Sequence, residues 1–319
     1  MTTKPQVCRA IEPDLVASAM GEAGAAATER VEGHVARCAP CRGDWVRYRA
    51  IDSVARALPR AEPPSETARA ALGSRLADLR RRLVTYAIVA SPLGQILIAR
   101  SEEGVAAIEY LGDATTARAS RLARTPGVEL EEDGAEIERL QRELLDYLGG
   151  RRTRLDWRLD LRLASSDFHR AVLQATASVP YGAVTSYARI ATGIGRPAAV
   201  RAVAQALRWN PVPIVVPCHR IVGASGSLTG YAGSKLTLKQ RLLSVEGVST
   251  QRAAHDFRVA RDRMYARDLD DTEYCVPTCG SLARKTLARL TLFSSREGAE
   301  SAGLAPCTSC RPDLHPLPR

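Results

Sequence analysis

Cys218 and His219 stand side by side in Ile214-Val215-Val216-Pro217-Cys218-His219-Arg220, after a run rich in β-branched apolar residues. A thiol held against an imidazole is how a protein makes a thiolate nucleophile at neutral pH. Of the eight cysteines, Cys218 lies farthest from any other, 57 residues from Cys275. The other seven fall into two groups with metal-ligand spacing. Cys8 and His34-x3-Cys38-x2-Cys41 supply three thiols and an imidazole, and a helix carrying His34 and Cys38 puts both on one face. Cys275-x3-Cys279 and Cys307-x2-Cys310 supply four thiolates in two close pairs, which suits a closed tetrahedral Zn2+ site. The expected cofactor is zinc in a structural role at one or two sites, with none needed for the chemistry at Cys218.

At 319 residues the chain fits two or three domains, and 45% hydrophobic with 25% charged residues is the composition of a globular protein. No apolar run approaches 18 residues, so no spanning helix and no membrane partner are expected. Met1 to Ala10 has no apolar core behind it and does not read as a secretory signal, which predicts a cytoplasmic protein; a monomer is also expected. In that compartment thiols stay reduced, so paired cysteines point to metal or catalysis before disulfides. The net charge of +10 favours a polyanionic partner, although a genome rich in Arg codons gives the same excess.

Residues 1–58 read as small and helical, and Pro59, Pro63 and Pro64 mark a linker before an Ala/Arg/Leu-rich helix from Ala68 to Leu83. From Val84 the period changes. Two apolar runs flank Ser91-Pro92-Leu93-Gly94, which predicts a β-hairpin, and Val105 to Tyr110 predicts a third strand. Ile137, Leu140, Leu144, Leu145 and Leu148 predict an amphipathic helix over Glu136 to Leu148. Helices are expected over Phe168–Val179, over Tyr187–Thr192 with Ser186 as its cap, and over Pro197–Trp209 with Pro at the first position. Helix, glycine turn, helix is the spacing of a helix-turn-helix. Its second helix carries Arg201 and Arg208 on an Ala-rich surface, with no acidic residue from Ile190 to Cys218.

In chain order the blocks are Pro180-Tyr181-Gly182, Ser186-Tyr187, Arg201-Ala202-Val203, Asn210-Pro211, Pro217-Cys218-His219-Arg220, Gly230-Tyr231 and Glu246-Gly247. Together they resemble the O6-alkylguanine-DNA alkyltransferases over about residues 84–248. The resemblance implies a multi-domain chain of mixed α/β (α+β) class: a small ribonuclease H-like sheet subdomain at 84–160, then a helical, helix-turn-helix catalytic subdomain at 161–250. It implies the minor groove of duplex DNA carrying an alkylated guanine as partner, and a nucleotide rotated out into a pocket. Cys218 takes the alkyl group, His219 its proton, and Glu246 orients the imidazole. Asn210 holds the loop and Tyr187 protonates guanine N3 and turns the 3′ phosphate. Arg201 supports the gap, with Ala202, Arg208 and Arg220 also on DNA. Tyr231, Val222 and Gly230 line the pocket. O6-alkylguanine, and O4-alkylthymine as well, are the implied substrates, consumed once per protein molecule. This chain departs from the family pattern at Ala204, where Gly is usual, and at Ala232, where some relatives have a hydroxyl.

The flanks carry resemblances of their own. Residues 251–319 resemble the metal-binding domain of the Ada adaptive-response protein, in which the cysteine matching Cys275 is itself a methyl acceptor. The acidic Asp270-Asp271-Thr272-Glu273 beside Cys275 would repel phosphate, so a structural zinc site is expected there instead. Residues 1–58, followed by a linker and helix at 59–83, resemble a zinc-binding anti-sigma-type domain, which implies a sigma factor or other protein as partner. A regulator or sensor that responds to alkylation at Cys218 or Cys275 is the alternative expectation.

Overall fold

A computed structural model describes residues 5–58, 64–114, 116, 120–231, 235–253, 256–269 and 271–318. Its chain forms two compact units, residues 1–72 and 73–319. The first unit holds three helices, α1 (Gln6–Ala19), α2 (Ala25–Arg37) and α3 (Ala39–Ala57), followed by the start of α4 (Glu66–Arg82). Leu15, Val31 and Val35 form its small core together with Cys8 and Cys41.

In the second unit β1 (Leu83–Ser91), β2 (Gly94–Ser101) and β3 (Gly104–Gly112) form the expected antiparallel meander, with Ser91 opposite Gly94 across the hairpin turn. β4 (Glu129–Glu132) adds in parallel to β1, giving the order β3-β2-β1-β4. Helix α5 (Gly134–Leu148) is capped by Asp133 and lays Ile137, Leu140 and Leu144 on one face of this sheet, against Ile96, Ile98 and Ile108. Each such fully buried aliphatic side chain contributes about 1.5–3 kcal/mol. Gly104 is needed where it stands: its φ is +147°, and a Cβ there would sit 2.3 Å from the Arg158 carbonyl.

Helix α6 (Asp167–Ala177) leads to β5 (Ala183–Ser186), and Ser186 caps α7 (Tyr187–Gly193) by accepting from Arg189 N at 3.1 Å. The second helix of the pair, α8 (Val200–Arg208), starts three residues later than expected. Ala199 N bonds Arg196 O at 2.8 Å, so Pro197 occupies a turn and not the first helical position. Val203 and Leu207 face the core, while Arg201, Ala202, Gln205 and Arg208 face solvent.

A second sheet has the order β6-β5-β11-β9, and two of its strands lie beyond residue 250. β6 (Ile221–Val222) pairs in parallel with β5, and α9 (Leu236–Val245) follows it. A hairpin of β7 (Thr250–Ala253) and β8 (Asp256–Val259) precedes β9 (Tyr265–Arg267) and β10 (Glu273–Tyr274). β11 (Thr291–Phe293) lies between β9 and β5, antiparallel to both. α10 (Arg296–Ser301) and β12 (Ala305–Pro306), parallel to β10, complete the chain. Residues 251–319, expected as a module of their own, thus share a sheet and a continuous core with the segment that carries Cys218.

Candidate functional site

Cys218 opens a short 3-10 turn, Cys218–Arg220, where the chain returns from α8. The loop reverses through Ile214, whose φ of 76° is a strained conformation for a β-branched residue. Asn210 fastens this loop. Its Nδ2 donates to Val216 O at 2.9 Å and to Cys218 Sγ at 3.2 Å, and its Oδ1 accepts from Val212 N at 3.0 Å. The edge strand β3 adds a bond from Ile108 N to Pro211 O at 2.8 Å. Burial pushes the Cys218 thiol above its ordinary value, opposed by the Asn210 donor and then by the Lys239 charge. At rest the thiol keeps its proton, and a base is required.

The next residue carries an imidazole. His219 Nε2 lies 2.6 Å from Glu246 Oε1, with both side chains fully buried. The Glu246 carboxylate also accepts from Arg220 Nε at 2.9 Å, Arg220 Nη2 at 3.1 Å, Gly182 N at 3.0 Å and the Tyr147 hydroxyl. Burial opposes charge on Glu246, but His219 and Arg220 outweigh it and hold the carboxyl at about 2. His219 is drawn below its ordinary value by burial, against the pull of Glu246. A neutral imidazole facing a carboxylate keeps its proton on Nε2, which leaves Nδ1 as an acceptor. Nδ1 is buried with no hydrogen-bond partner among the described residues.

Arg220 was expected on DNA, and the structure corrects this. Its guanidinium is buried against Glu246, Tyr147 and Val179 O, because an ionised carboxylate in the core needs a counter-charge.

Two hollows meet at Cys218. One, about 440 Å³, is lined by Tyr187, Arg201, Ala204, Thr229, Gly230 and Tyr231, and opens along the exposed face of α8. The other, about 350 Å³, is lined by Tyr110, Trp209, Asn210, Pro213, Tyr231 and Lys235 on the side of the first sheet. Ala204, the first departure, thus lines the first hollow, while Ala232, the second, lies outside the described residues. Tyr187 accepts from Thr229 Oγ1 at 3.4 Å, and burial raises its phenol, which keeps the proton available. Val222 is buried on β6, opposite Ser186. Arg201, Ala202 and Arg208 lie together on the exposed face of α8.

Three residues at the site went unread. Tyr147 reaches Glu246 from α5, and Tyr110 reaches the Tyr231 hydroxyl at 2.8 Å from β3. Lys239 is fully buried, donates to Ile221 O and Leu228 O at 2.5 Å each, and stands 5.8 Å from the Tyr187 ring centre. Burial draws it down to about 7. Its signal was present: Lys239 and Glu246 are one heptad apart, on the face where Leu242 and Leu243 are buried.

Both ligand groups assemble. The ligand atoms of Cys8, His34, Cys38 and Cys41, and those of Cys275, Cys279, Cys307 and Cys310, each lie within 4.8 Å of one another. Cys8 Sγ is 3.8 Å from both Cys38 Sγ and His34 Nε2. Zn–S bonds of about 2.3 Å set tetrahedral S···S edges of about 3.8 Å, so these donor sets fit zinc.

Comparison with known proteins covers the middle of the chain. Residues 84–161 match the family model for the 6-O-methylguanine DNA methyltransferase ribonuclease-like domain, and residues 167–248 match that for the DNA binding domain of the same family. The constitutive methylated-DNA–protein-cysteine methyltransferase of Bacillus subtilis is 35% identical over 169 residues, 51% of this chain and 96% of that protein. The methylated-DNA–protein-cysteine methyltransferase of Methanosarcina acetivorans is 39% identical over 164 residues, 51% of this chain and 97% of that protein. The crystal structure of Mycobacterium tuberculosis OGT in complex with DNA is 36% identical, covering 51% of this chain and 92% of that one, with a TM-score of 0.43.

Proposed function

Because the chain belongs to the family of 6-O-methylguanine DNA methyltransferases, we propose that Cys218 is the cysteine it alkylates. The protein is a DNA-repair methyltransferase that acts by alkyl transfer from DNA to a cysteine. One observation carries the assignment to Cys218: its thiol lies at the meeting of two hollows, next to a buried His219–Glu246 pair whose other ring nitrogen lacks a partner among the described residues.

The steps follow from these residues. The exposed face of α8, with Arg201, Ala202 and Arg208, enters the minor groove, and Arg201 takes the place of the rotated nucleotide. The base enters the hollow between Tyr187, Gly230 and Tyr231, against backbone at Val222 and Cys218. His219 Nδ1 takes the thiol proton through a bridging water while Glu246 and Arg220 keep the imidazole in its tautomer. Sγ attacks the alkyl carbon, the S–C bond forms as the C–O6 bond breaks, and the electron pair passes into the guanine. The Tyr187 hydroxyl protonates N3. The thioether has no leaving group that restores the thiol, so each molecule reacts once. O4-alkylthymine is expected to react by the same displacement.

Zinc is assigned to Cys275, Cys279, Cys307 and Cys310, and to Cys8, His34, Cys38 and Cys41, where its chemistry is to hold thiolates together. Cys275 is 4% exposed, which supports a ligand role over a second acceptor. The exposed Val46, Ile51, Val54 and Leu58 of the first unit support a protein partner, such as a sigma factor, for that unit.

The test is intact mass and peptide mapping after exposure to a duplex carrying labelled O6-methylguanine. One equivalent on Cys218 is expected, and none on a Cys218→Ala variant. No transfer to wild-type protein sinks the assignment, and label on Cys275 overturns its ligand-only role.

A further inference from the structure

Resting on the assignment of Cys218 as acceptor, we propose that the C-terminal four-cysteine segment braces the transfer centre, with Ser294 as a positioning residue for Glu246. The brace is continuous backbone. Cys275 exchanges both hydrogen bonds with Ala266 of β9, at 2.8 and 2.9 Å. Ala266 pairs with Leu292 of β11, and Leu292 pairs with Val184 of β5. One row of the sheet therefore runs from a cluster thiol to the strand between Gly182 and Tyr187. β11 itself belongs to the segment closed off by Cys279 and Cys307.

Where β11 ends, it grips Glu246. Ser294 N donates to Gly182 O at 2.8 Å, and Ser294 Oγ donates to the Glu246 backbone carbonyl at 3.2 Å. Gly182 N in turn donates to the Glu246 carboxylate at 3.0 Å. Both ends of Glu246 are thus held by the Gly182–Ser294 pair. The fit is close: Gly182 has φ +69°, and a Cβ there would lie 2.5 Å from Ser294 Oγ. Further along, Thr185 Oγ1 donates to Leu290 O at 3.3 Å, and Arg189 Nη2 donates to Leu269 O at 3.3 Å. No cluster thiol has to touch DNA for this. Gathering the four cysteines tensions β11, and β11 sets the carboxylate that fixes the His219 tautomer.

Three variants test the brace. Ser294→Ala is expected to slow single-turnover transfer roughly 3- to 10-fold, the effect of one lost hydrogen bond, with metal content unchanged. It should also move the acid limb of the rate–pH profile, which reports His219 as faced by Glu246, Arg220, Lys239 and Cys218. Ser294→Thr, which keeps the hydroxyl, should restore both. Cys310→Ser removes the half-buried ligand. It should lose one equivalent of zinc, slow transfer, and raise hydrogen exchange across residues 182–186 and 290–294. A wild-type rate and profile in Ser294→Ala overturns the positioning role. Loss of zinc from Cys310→Ser without a change of exchange at 182–186 overturns the coupling. If wild-type protein fails to alkylate Cys218, the functional assignment fails, and the exchange measurement still decides the brace.

Discussion

The two ligand clusters have the same donor count and opposite surroundings. Cys8 comes from α1, His34 from α2, Cys38 caps α3 and Cys41 lies in its first turn, so the N-terminal cluster ties three helices around a few buried residues. Cys275, Cys279 and Cys307 instead belong to the same continuous core as Val184, Cys218, Leu243 and Leu292. A three-helix unit of this size buries too little surface to stand without a staple. The C-terminal segment has a larger core available and has merged with it. An equal number of ligands is therefore expected to have unequal consequences, set by topology: a cluster linked by strands to the segment of Cys218 should change its rate of transfer, whereas one tying local helices should not.

Unfolding one region at a time is the severest way to break that contrast. Cys307→Ser should lose a zinc equivalent and lower the calorimetric midpoint of the transition for residues 73–319 by about 10 °C or more. Structural zinc is worth several kcal/mol, and each kcal/mol moves a domain of this size by about 2–4 °C. Transfer at Cys218 should fall with it. Val31→Asp buries a charge in the fully closed centre of the first unit. It should abolish the folding transition of the first unit while the rate of transfer to Cys218 stays within about twofold. A tenfold loss in Val31→Asp would mean that the helical unit, too, supports the reaction.

Lys239 sharpens the contrast inside the catalytic unit, because its charge acts on Cys218 and on neither cluster. Its folded value, about 7, lies below the ordinary lysine value of about 10.4. Burial of the charged ammonium costs stability below that value, and the cost is relieved as pH rises from about 7 towards 10.4. The kinetic sign is opposite. Below about 7 the ammonium favours the Cys218 thiolate, and above it that help is lost. Lys239→Met should therefore transfer about 10-fold more slowly than wild type at pH 6, and the ratio of the two rates should shrink towards pH 8.5. A ratio independent of pH would assign Lys239 a purely structural part, joining Ile221 O to Leu228 O.

What could be read from the residues follows the range of the interactions. The Ser91–Gly94 hairpin, the Ser186 cap and the α5 stripe are local patterns, and they appear within a residue or two of where periodicity puts them. Cys218 and His219 were legible from a thiol and an imidazole side by side, and Glu246 because the order of blocks along the chain resembles a known family. Arg220 was misplaced among the DNA contacts that the resemblance implies. Its burial depends on Glu246 and on the Val179 carbonyl, which no local pattern brings near. Ser294 and Gly182 are 112 residues apart, and nothing in either neighbourhood announces the other. The second sheet was illegible for the same reason: β6, β9 and β11 are two or three residues long, too short for a period to show.

The smallest effect is expected at Tyr110, where the first sheet rather than the second meets the site. Its hydroxyl pairs with that of Tyr231 at 2.8 Å, their ring centres are 6.0 Å apart, and Lys235 Nζ holds the Tyr110 carbonyl at 3.1 Å. Tyr231 lines both hollows with Cys218 and favours its ionised form, and burial keeps both phenols protonated. Tyr110 therefore acts on the sulfur through Tyr231, by orienting that hydroxyl. Tyr110→Phe keeps the ring and removes that single bond, worth about 0.5–1.5 kcal/mol, so transfer should slow about 2- to 10-fold while both zinc equivalents and the thermal midpoint stay near wild type. Tyr231→Phe should slow transfer more, and the double variant should be no slower than Tyr231→Phe alone, since the outer hydroxyl has nothing left to orient. Full additivity of the two losses would mean that Tyr110 meets the substrate directly in the smaller hollow, and the first sheet would then contribute a substrate contact where the second contributes a brace.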